Sequence, residues 1–115
     1  DVRVIVIGQR AFAIKRNVRK NDFRASGSGH IDYNHNSIQK DVLDLSFELS
    51  KRLKSQCTAF DFLRFEGKPL IVEISYGFMP EGYTNCEGYW DINLIWHEGK
   101  FDPYGWIIDE ALKVK

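Results

Sequence analysis

Apolar residues along this chain follow different periods, and each period predicts a different element. Val2 to Ile7 (V-R-V-I-V-I) is mostly β-branched, and a second apolar-rich stretch runs from Ala11 to Val18. Gly8-Gln9 lies between them as a turn signal, so the two stretches predict a β-hairpin. From Ser37 to Lys54 the period changes. Ile38, Val42, Leu45, Leu49 and Leu53 recur at spacings of four and three, drawing one apolar stripe on a helix. Asn36 or Ser37 is placed to cap its start. Asp41 and Asp44 lie in its first half and Lys51, Arg52 and Lys54 in its last turns, the polarity that a helix dipole favours.

A second hairpin is predicted over residues 59 to 75, A-F-D-F-L-R-F-E-G-K-P-L-I-V-E-I-S. Two apolar runs flank Glu66-Gly67-Lys68. With those three residues as the loop, Phe60 faces Ile74 and Phe62 faces Val72 on an apolar face suited to burial. On the other face Asp61 lies directly across from Glu73, with Ser75 two residues on. Lys20 to His30 has the composition of a mobile loop, which residues 31 to 36 continue. After Tyr76 the pattern dissolves. Residues 77 to 106 read as loop with many aromatics, and Trp106 to Val114 as a short closing helix. The order β-β-loop-α-β-β-tail predicts an α+β fold, an antiparallel sheet with one main helix packed on it. Residues 1–78 form its body and residues 79–115 a loop-rich aromatic extension of the same domain.

A chain of 115 residues is at most one domain. No apolar run approaches the roughly 18 residues of a membrane span. Two cysteines, Cys57 and Cys86, make neither a disulfide framework nor a zinc spacing, which predicts a reducing cytoplasm. The chain starts at Asp1, inside a predicted strand and without methionine, so a piece of a longer protein is expected. The net charge of zero hides a gradient. Residues 1–30 carry seven basic and two acidic side chains, residues 61–115 five basic and ten acidic. The basic end suits an anion and the acidic end a cation; a solvated, self-neutralising surface has the same counts.

Like charges opposite each other on a sheet repel, so Asp61 and Glu73 predict a compensating cation. A hard divalent ion taking oxygen ligands, such as magnesium, is the candidate for the acid pair; two solvent-facing strand acids have the same pattern, and Ser75 by itself reads as an ordinary strand serine. Arg24 lies in D-F-R-A-S-G-S-G, where Gly27 and Gly29 let backbone amides approach phosphate oxygens; a flexible surface loop has the same composition. Arg3, Lys15 and Arg16 are cations of the first hairpin. His30, Asp32 and His35 lack a fourth ligand and regular spacing for a metal. The cysteines read as buried or incidental thiols. Tyr83, Tyr89, Trp90, Trp96, Phe101, Tyr104 and Trp106 are expected to pack over the sheet, although Asn85 to Asp91 is a polar-aromatic mixture unusual for a plain core.

The segments D-V-R-V-I-V-I-G, A-I-K-R, D-F-R, A-F-D-F and I-V-E-I-S, in that order over residues 1 to about 78, resemble the ATP-grasp superfamily. The likeness is to the C-terminal half of its nucleotide-binding region, as in ribosomal protein S6 glutamate ligases, glutathione synthetases and carbamoyl-phosphate-synthase-like enzymes. The resemblance implies an ATP-dependent ligase that joins a small carboxylate to an amine-type acceptor through an acyl-phosphate. It also implies ATP and Mg2+ as cofactors, with Asp61, Glu73 and Ser75 at the metal; Ser75 stands where the family usually has asparagine. Arg3 and Arg24 would act on the transferred phosphate, while Arg16, Lys15, Gly27 and Gly29 would contact the nucleotide. The loop from Lys20 to Gly29 would close over the reaction. The lysine-bearing N-terminal half of such a site is absent from these residues, so this chain alone is expected to bind nucleotide weakly and turn over nothing. A homodimer is a further expectation; membrane and nucleic acid are not expected partners. Two alternatives stand beside this reading: a binding module that keeps the fold without the chemistry, and a small anion- or nucleic-acid-binding domain built on the basic hairpin. The acidic second half argues against the last.

Overall fold

The computed structural model describes residues 1–17 and 30–113. Among them, seven strands form one antiparallel sheet with two helices, the predicted α+β class. The strands are β1 (Val2–Ile7), β2 (Arg10–Asn17), β3 (His30–Asp32), β4 (Cys57–Phe65), β5 (Lys68–Ser75), β6 (Gly88–Asp91) and β7 (Trp96–Glu98). They run in the order β5-β4-β1-β2-β6-β7, with β3 also paired to β2. Helix α1 spans Lys40–Leu53 and α2 spans Pro103–Lys113. None of the described helices is long and apolar enough to cross a membrane.

The two central strands are buried on both faces, which is why β1 reads as a near-continuous apolar run. Val4, Val6, Ala11, Ala13, Phe60 and Phe62 pack against Val42, Leu43 and Phe47 of α1. On the other face, Ile5, Ile7, Phe12, Ile14 and Ala59 meet Tyr83, Cys86 and Trp106. Phe12 is the hub of that layer, with ring centroids 5.0 Å from Phe101, 5.1 Å from Tyr83 and 5.6 Å from Phe78. Arg3 interrupts the apolar pattern on this second face.

The first hairpin turns on Gly8-Gln9 as expected. Gly8 has φ 60 while Gln9 does not share the positive value, the pattern of a type II′ turn that needs glycine first. The second hairpin differs from its predicted form. Its loop is only Glu66-Gly67, with φ 52 and 77, a type I′ turn, and Lys68 pairs with Phe65. That tighter turn would misalign the acids by one residue, but a β-bulge restores the register. Val72 is passed over between the Phe62–Ile71 and Asp61–Glu73 pairs. Asp61 therefore faces Glu73 and Phe60 faces Ile74, as predicted, whereas Phe62 faces Ile71 rather than Val72. Nor is the apolar face of this hairpin closed. Phe60 and Phe62 are buried, but Val72 and Ile74 lie on an edge strand and are about half exposed.

Helix α1 starts later than the periodicity predicts, and it buries a rotated face. A 3-10 turn, His35–Ser37, precedes it, capped by the Asn34 side chain; Ser37 instead donates to Asp32 at 2.7 Å. The buried helix positions are Val42, Leu43, Ser46, Phe47 and Ser50, while Leu53 of the predicted stripe is exposed. Small serines let the helix approach the sheet, and Ser46 satisfies its hydroxyl on the Val42 carbonyl at 2.6 Å.

Two stretches read as loop are ordered structure. His30–Asp32 pairs with Lys15–Asn17 as β3. The aromatic extension supplies β6, β7 and α2, and β6 joins β2 through Arg10–Asp91 and Ala11–Trp90. It is a layer and an edge of the same sheet. Helix α2 begins three residues before the predicted closing helix, with Pro103 in its first turn, where a missing N–H costs nothing.

Candidate functional site

Strand registry brings charged residues from four strands to one face. Arg3 lies opposite Ile14 of β2 on one side and Asp61 of β4 on the other, and Asp61 lies opposite Glu73 of β5. Directly paired residues share a face, so Arg3, Asp61 and Glu73 form one row. Arg16 begins the next row, opposite Asp1. Their backbones exchange hydrogen bonds, Arg16 N to Asp1 O at 2.8 Å and Asp1 N to Arg16 O at 2.9 Å. Ser75 lies two residues beyond Glu73, opposite Ala59.

Arginine supplies the cation that the opposed acids call for. Arg3 binds both oxygens of Asp61, Nε to Oδ1 at 2.6 Å and Nη2 to Oδ2 at 2.9 Å. Arg16 forks onto Asp1, with Nε 3.0 Å from Oδ1 and Nη2 bonded to Oδ2, and its Nη2 also lies 3.7 Å from Asp61 Oδ1. Asp61 is almost wholly buried, while the two guanidiniums keep 27% and 21% of their side-chain surface. Hydrogen bonding to Asp61 raises the Arg3 pKa above the ordinary guanidinium range. Tyr83, delivered by the Pro80–Tyr83 turn, lies against Arg3; burial raises its phenol pKa although Arg3 opposes the shift. Glu73 is exposed on the edge strand, and Ser75 Oγ donates to its Oε1 at 3.4 Å.

Of the expected site residues, the fold thus assembles Arg3, Arg16, Asp61, Glu73 and Ser75. Lys15 does not join them. It precedes Arg16 in the strand and so points to the opposite face, where it lines a cleft with Gln39 and Arg64. Arg24, Gly27 and Gly29 lie outside the described residues. Sequence reasoning placed neither Asp1 nor Tyr83 at this site. Extending the first hairpin's pairing by one residue places Asp1 across from Arg16, so that signal was present. Tyr83 carried none, because its contact depends on the tail folding back across the sheet.

The remaining candidates have structural roles. Asp32 accepts from Ser37 Oγ and from Asn34 N at 2.9 Å, and His35 stacks on Trp96 at 4.0 Å, so the His30, Asp32 and His35 trio forms no cluster. Among the described residues, no group of three or more His, Cys, Asp or Glu side chains is arranged to hold a metal ion. Cys86 is buried 3.8 Å from the Ala13 carbonyl, and burial pushes its thiol up to about 12. Neither thiol has the depressed pKa of a nucleophile. Comparison with known protein families, curated proteins and solved structures returns no match for this chain.

Proposed function

We propose that this chain is the metal- and phosphate-binding part of an ATP-dependent carboxylate–amine ligase. The row Arg3–Asp61–Glu73, with Arg16 and Ser75 beside it, is the observation that supports the reading. Two carboxylates and a hydroxyl are hard oxygen donors, and magnesium is commonly held by one or two carboxylates together with substrate phosphates. Asp61 and Glu73 would hold the ion, with Ser75 as a neutral neighbour. Bound magnesium would supply charge neutralisation on the phosphates. Arg16 is oriented by Asp1, and a guanidinium held in this way binds phosphate oxygens with less loss of rotamer freedom. Both Asp61 oxygens are engaged by Arg3, so Asp61 would have to release Arg3 to hold an ion, and the freed guanidinium would be available to phosphate.

That same bidentate pair favours a second reading, a binding module that keeps this sheet with its acid locked by arginine. Isothermal titration of the 115-residue chain with ATP, with and without Mg2+, separates the two. The ligase reading expects Mg2+ to strengthen ATP binding and Glu73→Gln to remove that gain. Because Glu73 is exposed, the substitution leaves the fold intact. ATP affinity that ignores both Mg2+ and Glu73→Gln leaves the module reading.

A further inference from the structure

The sheet face that carries Arg3 and Asp61 is covered along only part of its length. Helix α2 and the aromatic layer lie over its Ile7 end, where Trp106 packs with Ile5, Ile7 and Ala59 and Gln56 Nε2 donates to the Glu110 carbonyl at 3.5 Å. Side chains alternate along β4, so Cys57, Ala59, Asp61, Leu63 and Phe65 share this face. Leu63 lies opposite Leu70 of β5, and Phe65 opposite Lys68. Past Asp61 the face is bare: Leu63, Phe65 and Leu70 are 48%, 64% and 50% exposed.

Helix α2 has the complementary defect. Its Tyr104, Ile108 and Leu112 recur every four residues and are 57%, 60% and 65% exposed. At about 100° per residue, Ile108 lies about 200° round from Trp106, so this stripe points away from the sheet that Trp106 grips. A helix that is apolar on two opposite sides needs a layer on each. The chain thus holds a sheet face without a helix and a helix face without a sheet. They sit at opposite ends of one surface, since Cys57 to Phe65 spans about 27 Å.

We propose that a second copy of this chain supplies both missing layers. In a two-fold dimer packed face to face with the strand directions reversed, α2 of each copy lies on the bare hairpin of the other. The two contacts are identical and the assembly closes. Six half-exposed apolar side chains present roughly 700 Å2 per copy, near the ~800 Å2 per partner of a standard-size interface. Charge agrees with the pairing. Lys68 stands beside Phe65 and Asp109 follows Ile108, and neither makes a salt bridge among the described residues. Helix α2 is about 10 Å thick, so it holds the two sheets apart and the Arg3–Asp61–Glu73 rows lie in the gap between them. The dimer does not depend on the ligase reading.

Sedimentation equilibrium of the 115-residue chain from about 1 μM to about 1 mM tests the association. Twice the monomer mass of 13.4 kDa is expected at the top of the range. Ile108→Glu and Phe65→Glu should each weaken the dimer at least about a hundredfold, because each places a charge in both apolar contacts. Both positions are exposed, and unchanged circular dichroism and melting verify the fold. Cross-linking tests the arrangement. Under oxidation, a Phe65→Cys chain mixed with an Ile108→Cys chain should form a covalent dimer, while neither variant alone should exceed the level of the unsubstituted chain. A monomer at every concentration, the outcome if a different protein covers these faces, overturns the proposal. A dimer that neither glutamate variant weakens, or one in which Ile108→Cys chains join to one another, overturns it too.

Discussion

Arg3 and Asp61 face each other across β1 and β4 and close a bidentate ion pair, with Nε–Oδ1 at 2.6 Å and Nη2–Oδ2 at 2.9 Å. Asp61 is 4% exposed, so whatever removes Arg3 leaves a carboxylate in the core. Breaking one side of a buried pair is far more costly than replacing both sides. Asp61→Asn should lower stability by about 2 kcal/mol, less than a fully buried pair costs because Arg3 keeps some solvent. The double substitution Arg3→Met with Asp61→Leu should recover much of that loss. Urea unfolding of the single and double variants checks both statements; a double variant as unstable as the sum of the singles would contradict them.

The aromatic layer makes Phe12 the most sensitive core position on the Tyr83 face. It is fully buried and touches four other aromatic rings. Phe12→Ala should cost about 3–5 kcal/mol and Phe12→Leu about 1–2 kcal/mol. Near-ultraviolet circular dichroism should also lose intensity, since Tyr83 and Trp106 lose their fixed neighbour.

Among the described residues, three non-glycine positions hold left-handed backbone, Lys54 (φ 53), Glu66 (φ 52) and Leu94 (φ 62). Lys54 ends α1, with Ser55 N reaching back to Ser50 O at 3.1 Å, and Glu66 opens the type I′ turn. Neither position buries a large side chain, so Lys54→Gly and Glu66→Asn should each raise stability by about 0.5–1 kcal/mol in thermal melts. Leu94 packs against the α1-side core. There the lost burial of about 1–2 kcal/mol outweighs the relieved strain, so Leu94→Gly should destabilise.

Stability should fall at alkaline pH through Cys86 and Tyr83. Both acids are neutral in the fold, and burial raises both pKa values, the Cys86 thiol to about 12. In the unfolded chain a thiol ionises near pH 8.5, so above that pH the unfolded state has released a proton that the native state retains. The Cys86 contribution is therefore whole below about pH 8.5 and is lost as pH rises toward 12, at up to about 1.4 kcal/mol per pH unit. Cys86→Ala should flatten this limb, and adding Tyr83→Phe should flatten it further above about pH 10. Chemical denaturation between pH 7 and pH 11 measures the slope.

The two hairpins were legible because their signals are local: β-branched runs, Gly8 between them, and Glu66-Gly67 between the second pair. Even the opposition of Asp61 and Glu73 was right, although through compensating departures, a shorter turn and a bulge at Val72. The helix was legible as a helix. Its buried face was legible only in part: Ile38 and Val42 are buried and Leu45 and Leu49 pack beside them, but Leu43 and Phe47 lie deeper, and which side is inside is set by the sheet. Strands β3, β6 and β7 have three, four and three residues, too few for an alternation to register. Their existence rests on pairing with β2 and with each other.

The chain by itself determined the elements whose period repeats, the α+β class, and the acid pair at matching positions of a hairpin. Tertiary structure decided what those acids meet. Residue types predicted a cation, and either a metal or an arginine satisfies that electrostatic demand equally. Strand order β5-β4-β1-β2 placed Arg3 against Asp61 and brought Arg16 within 3.7 Å of the same carboxylate. A strand's alternation is written in sequence, but which strand lies next to it depends on contacts fifty or more residues apart, and those carry no local signature.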